Sequence, residues 1–257
     1  MDKYEWPAEE YAVGSYIQDA IAKPYLDNLN VAPNASLLDI GCGEGSFSMR
    51  ILEKVPEGKL LGIDRSANMI ALARKKMVDH PHFSAEQHDV LTLPFESQFD
   101  GVVSFWCLQW CSDLKTAYDH IFHALKKGGQ LLTIVPAGVD PLVKSLTLLK
   151  ASGDFPVLDA FRLPVDFQAM TLLPKIMQAL PFQEATVTVK QHLIQLPSLD
   201  TFRKFMNGLA FFNGQVPEDR IGALNEAMVH AFHEQCQVTY QGEYWFDLSL
   251  YLTLGVK

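Results

Sequence analysis

Residues 37–45 read LLDIGCGEG, an apolar run that ends in an aspartate and three glycines at alternate positions. Gly41, Gly43 and Gly45 permit backbone angles closed to other residues and let a main chain come close to a ligand. A dinucleotide fingerprint needs G-x-G-x-x-G, so that the helix start faces a pyrophosphate. Here Gly45 comes one residue early, and Ser46 stands where the third glycine or alanine belongs. The acids nearby point the same way. Asp39 lies just ahead of the loop, Asp64 closes a second apolar run (LLGID), and Asp89 follows a third (QHDV). Carboxylates so placed repel phosphate and attract a cation. At the second strand end a carboxylate can accept two hydrogen bonds from ribose hydroxyls. Asp89 can accept from an adenine amino group while the Val90 amide reads the ring. Each feature also has a plainer reading: a tight turn for the glycines, a helix cap for Asp64, a turn aspartate for Asp89. Their combination describes a positively charged nucleoside ligand without phosphate.

The elements that would position these residues alternate between strand and helix. Ser36–Ile40, Lys59–Ile63, Phe83–His88, Phe99–Phe105 and Gln130–Val135 read as strands. Between them, Phe47, Ile51, Leu52 and Val55 recur at helical spacing, as do Met69, Ile70, Ala73 and Met77, with Ser66 as N-cap. Leu114, Ala117, Tyr118, Ile121 and Leu125 trace a third helix, closed by Gly128 and Gly129 as a stop. Such alternation implies parallel strands with right-handed crossovers and helices on both faces, an α/β doubly wound sheet whose ligands bind beyond the carboxyl ends of its strands.

The second half changes character. Residues 137–180 read as helices and loops, Thr186–Gln191 as a strand, Leu199–Gln235 as helix and Tyr244–Leu254 as a β-rich run that closes the sheet. The expected organisation is an N-terminal helical cap segment over 1–33, a binding core over 34–136, and helical insertions with the last two strands over 137–257.

Composition narrows the partners. The 257 residues are 48% hydrophobic and 20% charged, with a net charge of −9; a soluble domain with a large core fits this, and a polyanionic nucleic acid does not. Cys42, Cys107, Cys111 and Cys236 lack the short paired spacing of a zinc site and read as reduced thiols of a cytoplasmic protein. Met1–Pro7 shows no leader pattern, and no apolar run reaches the length of a membrane span. His120 with His123, and His230 with His233, lack a completing carboxylate cluster, so no metal is expected.

In sequence and order, LLDIGCGEG, LLGIDRSANMIALAR, QHDVLTLPF and FDGVVS resemble the successive motifs of the class I methyltransferase family. Its cofactor, S-adenosylmethionine, carries an ammonium and a sulfonium and no phosphate. The resemblance implies a mostly parallel seven-stranded sheet whose last strand is antiparallel. It places Asp39, Gly41 and Gly43 along the methionine part, Asp64 at the ribose, and Met69, Asp89 and Val90 at the adenine, with Cys42, Arg65 and Ser104 also in the cofactor set.

The acceptor side is less defined. Residues 104–113 read SFWCLQWCSD, directly after the fourth strand. Trp110 offers an indole N–H and Gln109 an amide, whereas Trp106 reads as a core aromatic and the flanking cysteines as small buried thiols. This loop resembles those of small-acid carboxyl methyltransferases, among them the trans-aconitate, malonyl-carrier-protein and juvenile hormone acid enzymes. Tyr11–Asp19 (YAVGSYIQD) resembles the last group, which implies that Gln18 and Trp110 hold a substrate carboxylate. A carboxylate is ionised at neutral pH, so no catalytic acid or base is expected. Phe155, Phe161, Phe167, Phe202, Phe205, Phe211 and Phe212 read first as core and second as an apolar lid. The expected partner is a small molecule, with the chain a monomer or weak homodimer. The alternatives are a non-carboxylate acceptor, a non-catalytic protein that binds S-adenosylmethionine, and a nicotinamide dehydrogenase, the last disfavoured by the loop spacing.

Overall fold

The computed structural model describes Trp6 and residues 8–257, leaving aside the side chains of residues 13 and 14. The absence of a leader read from Met1–Pro7 therefore lies, Trp6 apart, outside the described residues. In chain order the helices are α1 (Ala8–Gly14), α2 (Tyr16–Ala22), α3 (Ser46–Leu52), α4 (Ala67–Lys76), α5 (Leu114–Ala124), α6 (Pro141–Ser152), α7 (Phe167–Met170), α8 (Leu173–Ala179), α9 (Leu199–Gly208) and α10 (Glu218–Thr239). The strands are β1 (Ser36–Ile40), β2 (Lys59–Asp64), β3 (Phe83–Gln87), β4 (Phe99–Phe105), β5 (Leu125–Pro136), β6 (Glu184–Gln195) and β7 (Trp245–Val256).

Among the described residues these strands form a seven-stranded sheet in the order β3-β2-β1-β4-β5-β7-β6. β1 is parallel to β2 and β4, β2 to β3, and β4 to β5, whereas β7 runs antiparallel to β5. The order reverses between β1 and β4, so the crevice at their carboxyl ends is the switch point where doubly wound sheets bind ligands. β1 is buried along its whole length, as a central parallel strand must be. Leu38, Ile40, Val102 and Leu131 pack there with Tyr118 and Ile121 of α5. The Tyr118 hydroxyl, fully buried, lies 2.7 Å from Thr133 Oγ1, which satisfies both groups in the core.

The chain divides into two compact units: residues 18–137, 165–190 and 250–257, and residues up to 17, 138–164 and 191–249. The first holds the parallel strands and all the residues singled out for cofactor and acceptor. The second is built on phenylalanine. Phe202 of α9 stacks on Phe232 of α10 with ring centroids 3.9 Å apart, and both lie near Phe246. Phe161 packs on Phe211 and Phe212. Phe161, Phe202, Phe205, Phe211 and Phe212 are all buried, so these five are core of this unit and not an exposed apolar face. Gly208, the last residue of α9, lacks a side chain where a Cβ would sit 2.8 Å from the Cα of Tyr11 in α1.

Two local expectations change. Gly128 and Gly129 do not stop the third helix: α5 ends at Ala124, and β5 begins at once with Leu125 opposite Phe99. With φ +77°, Gly128 instead lets the strand irregularity form, and its N–H donates to the Lys257 carbonyl while Gly129 O accepts from Lys257 N–H. The stretch 199–235 is two helices, since Gly208, Gly214 and Pro217 break the periodic run and leave Phe211 and Phe212 in the connection.

Truncating Phe202 to Ala should cost about 3–5 kcal/mol, because the stacked ring leaves a cavity among Phe205, Phe232 and Phe246. Urea denaturation followed by circular dichroism measures it; a loss below about 1 kcal/mol would contradict the packing described.

Candidate functional site

The loop after β1 is held by main-chain bonds. The N–H groups of Gly41 and Cys42 both donate to the Ile63 carbonyl of β2, at 2.8 and 2.9 Å. Gly41, Gly43 and Gly45 have φ of +75°, +54° and +86°, angles at which an L side chain is strained. Their reasons differ. A Cβ on Gly41 would lie 2.2 Å from Cys107 Cβ, so this glycine admits the loop that follows β4. A Cβ on Gly45 would press on Ala73 and Met77 at 3.3 Å, so this one admits the α4 segment. Close approach at these two positions serves packing inside the protein.

Carboxylates surround the loop. Asp39 is 3% exposed and accepts one hydrogen bond, from Ser48 Oγ at 2.7 Å. Burial first, and the Asp64 charge second, push its carboxyl up to about 7, against the opposing Ser48 bond. Asp64 accepts from Gly43 N–H at 3.1 Å on one oxygen and from Ser66 N–H at 2.8 Å on the other. Burial raises its pKa too, and these bonds oppose the shift. Glu44 is buried, accepts from Ser46 Oγ at 2.8 Å and is ion-paired with Lys76. Asp19 is pushed up to about 6 by burial and then by Glu44. The start of α3 thus faces Glu44 and Asp39, an unfavourable setting for a pyrophosphate and a favourable one for a cation.

The other singled-out residues take defined places. Ser66 caps α4, its hydroxyl accepting from Met69 N–H at 3.2 Å, and Met69 is buried. Asp89 caps the turn at Val90–Thr92 by accepting from Leu91 N–H at 2.9 Å, with Val90 buried and its carbonyl 3.0 Å from His120 Nδ1. Asp89 and the exposed Arg65 both act on the Cys111 thiol, which burial pushes up to about 12. Burial likewise raises Cys42 and Cys107, so at neutral pH all three are thiols and poor nucleophiles. Ser104 is fully buried and donates to the Ile40 carbonyl at 2.8 Å, clamping β4 to β1. Among the described residues no three His, Cys, Asp or Glu side chains gather as a metal site would require.

Sequence reasoning misread Trp106. It is half-buried, with φ +58°, which bulky residues seldom adopt. Its indole N–H donates to the Gln18 carbonyl at 3.2 Å, and its own carbonyl accepts from Gln109 Nε2 at 2.8 Å. Gln18 and Gln109 are therefore gathered on one residue, on the loop that touches Gly41, with Trp110 half-buried in the same turn. Nothing in the spacing announced this; Glu44 and Asp19 were also passed over, although their charges flank the glycine motif and were open to view.

A sheet with its switch point at such a loop defines an α/β nucleoside-binding domain. Comparison with known proteins gives the class: residues 37–129 match the family model of a methyltransferase domain, and this region is a class I, S-adenosylmethionine-dependent methyltransferase domain. The chain is 30% identical over 135 residues to trans-aconitate 2-methyltransferase of Deinococcus radiodurans, covering 52% of this chain and 51% of the relative. It is 36% identical over 103 residues to demethylmenaquinone methyltransferase of Lactococcus lactis, covering 38% and 41%. The chain thus spans about half the length of these curated relatives or less. The fold is shared with the YcgJ protein of Bacillus subtilis, at TM-score 0.62 and 15% identity over 94% of this chain and 98% of that one.

Gly41→Ala should destabilise the protein by about 2–4 kcal/mol, through φ strain and the Cys107 overlap. Adding Cys107→Gly should restore part of it, as urea midpoints would show; strict additivity of the two losses would refute the contact. For Asp39 the sign is fixed by a folded pKa of about 7, above the ordinary carboxyl value of 3.8. The folded state binds the proton more tightly, so wild-type stability falls as pH rises from about 4 through 7. Asp39→Asn should be more stable than wild type by about 2–4 kcal/mol at pH 8, with no gain below pH ~4. Melting curves across that range test it, and a pH-independent difference would contradict the buried acid.

Proposed function

We propose that this chain transfers a methyl group from S-adenosylmethionine to a small molecule, and that the acceptor atom is a carboxylate oxygen, giving a methyl ester. The cofactor assignment rests foremost on Asp39, a buried carboxyl with a single hydrogen bond, beside a glycine loop ringed by further acids. A cation fits there, since it would favour the ionised form that burial disfavours. Asp64 accepts main-chain N–H groups, among them those of Gly43 and Ser66, and its carboxylate has four lone-pair sites in all, so it can also accept from a ribose hydroxyl. In this reading Asp39, Gly41, Cys42 and Gly43 hold the methionine part, Asp64 and Arg65 the ribose, and Met69, Asp89 and Val90 the adenine. Ser104 acts through the Ile40 carbonyl, fixing the end of β1. When bound, the cofactor supplies an electrophilic methyl on a sulfonium.

The protein's task is then positional. An ionised carboxylate needs no base; its oxygen must be set in line with the methyl at near-attack distance. Gln18 and Trp110 are the orienting donors, and because both are neutral they leave the oxygen more nucleophilic than an arginine would. The resemblance of the SFWCLQWCSD loop to carboxyl methyltransferases and the trans-aconitate relative support this acceptor. The demethylmenaquinone relative favours a second reading, with an acceptor other than a carboxylate.

Incubation with methyl-labelled cofactor and a panel of small carboxylic acids should yield a product that releases labelled methanol in mild alkali. A base-stable product would select the second reading. Asp64→Ala should abolish cofactor binding in calorimetry, whereas Trp110→Phe should keep cofactor affinity and lower kcat about tenfold, the worth of one hydrogen bond. Unchanged affinity in the first variant would remove the ribose assignment.

A further inference from the structure

We infer that the acceptor carries, close to its methylated group, a hydrogen-bond donor (a hydroxyl or an N–H) that the side-chain oxygens of Gln109 and Gln18 accept; this rests on the methyl transfer proposed above. Gln109 is 7% exposed, and its Nε2 donates to the Trp106 carbonyl at 2.8 Å. That bond fixes the amide's orientation, because the reversed amide would set two oxygens against each other. Its Oε1 is left buried and, among the described residues, without a donor. Gln18 Oε1 is likewise buried and without a donor, while the Gln18 main-chain oxygen accepts from Trp106 Nε1. Both residues are tied to Trp106, Gln109 through its side-chain amide and Gln18 through its main-chain oxygen, and the Trp106 φ of +58° is itself strained.

Folded proteins leave few buried acceptors unpaired, since such a group has lost water and gained nothing. A ligand that donates to these oxygens recovers that loss when it binds. A carboxylate cannot do so, because when ionised it only accepts. The complementary molecule is an acid with a hydroxyl or N–H near its carboxyl. An amide such as Gln18 can then serve both groups at once, its Nε2 toward the carboxylate and its Oε1 toward the donor. A site built around such acceptors discriminates strongly against the analogue that lacks the donor, because binding it leaves the oxygens buried and unpaired.

The test is calorimetry on the full chain saturated with S-adenosylhomocysteine, using straight-chain acids of two to twelve carbons, their 2-hydroxy, 3-hydroxy and 2-amino counterparts, and the matching 1,2-diols. At least one donor-bearing acid should bind about tenfold more tightly than its plain counterpart, the worth of one recovered hydrogen bond. Gln109→Met should erase that preference while leaving affinity for the plain acid and for S-adenosylhomocysteine within about twofold. If Gln109→Met fails to fold, Gln18→Met, which keeps the main-chain bond to Trp106, should weaken the plain acid and its donor-bearing counterpart alike and remove the preference between them. Diols that bind in a Gln109-dependent way where no acid binds would uphold the donor inference and remove the carboxylate reading. Equal affinity within every pair, binding by none of the donor-bearing probes, a preference that survives both substitutions, or a tenfold loss of S-adenosylhomocysteine affinity in Gln109→Met, which would put the donor on the cofactor, would each overturn the inference.

Discussion

The contact between Gly41 and Cys107 is the constraint on which the crevice depends. It joins the loops that leave β1 and β4, the two strands between which the order of the sheet reverses. Ser104 makes the same junction one layer down, through its bond to the Ile40 carbonyl, and the Ile63 carbonyl fixes the glycine loop from the other side. A side chain at position 41 would force these loops apart. The glycine that a motif search attributes to a ligand is thus required first by the protein, and the ligand's room follows from how closely the two loops meet.

The second constraint is electrostatic. Asp39, Glu44 and Asp64 are drawn out of water around one short loop, and Glu44 is ion-paired with Lys76. Burial raises Asp39 and Asp64, so the loop holds carboxyls that resist ionisation. A bound cation relieves that resistance, and a phosphate would aggravate it. Discrimination between cofactor classes is in this way a property of the desolvated acids more than of glycine spacing.

The sheet was legible because its signals are local. β1 and β4 were read to the residue, and Ser66 caps α4 as its position before an apolar-periodic run implied. Where the reading failed, a tertiary fact overrode a local one. Gly128 and Gly129 look like a helix stop, yet they bond to Lys257, a partner far along the chain that no window of sequence contains. Trp106 looks like a core aromatic because indoles usually are; its rare φ and its bond to Gln18 depend on a helix far away in sequence. The carboxylate set was half visible: Asp39, Asp64 and Asp89 mark strand ends, whereas the burial that gives Asp39 its unusual acidity comes only with the fold.

The two sides of the crevice are built from different kinds of parts, and this bears on what each can change. As proposed, the cofactor side consists of main-chain N–H groups, strand-end acids and glycines whose substitution would disturb the sheet itself. In the reading proposed above, the acceptor side consists of amide and indole side chains, with Gln109 and Trp110 beyond the end of β4, where an exchange of side chain alters hydrogen bonding without touching the strand ladder. Relatives that match this chain over the α/β region and carry names for unlike substrates, trans-aconitate and demethylmenaquinone, fit that division. Two buried oxygens kept unpaired on residues tied to a strained one make no sense as stabilisation, since replacing both amides with apolar groups would remove the cost. In the reading inferred above they are a selection device, which gives up some stability in return for rejecting molecules that cannot complete their hydrogen bonds.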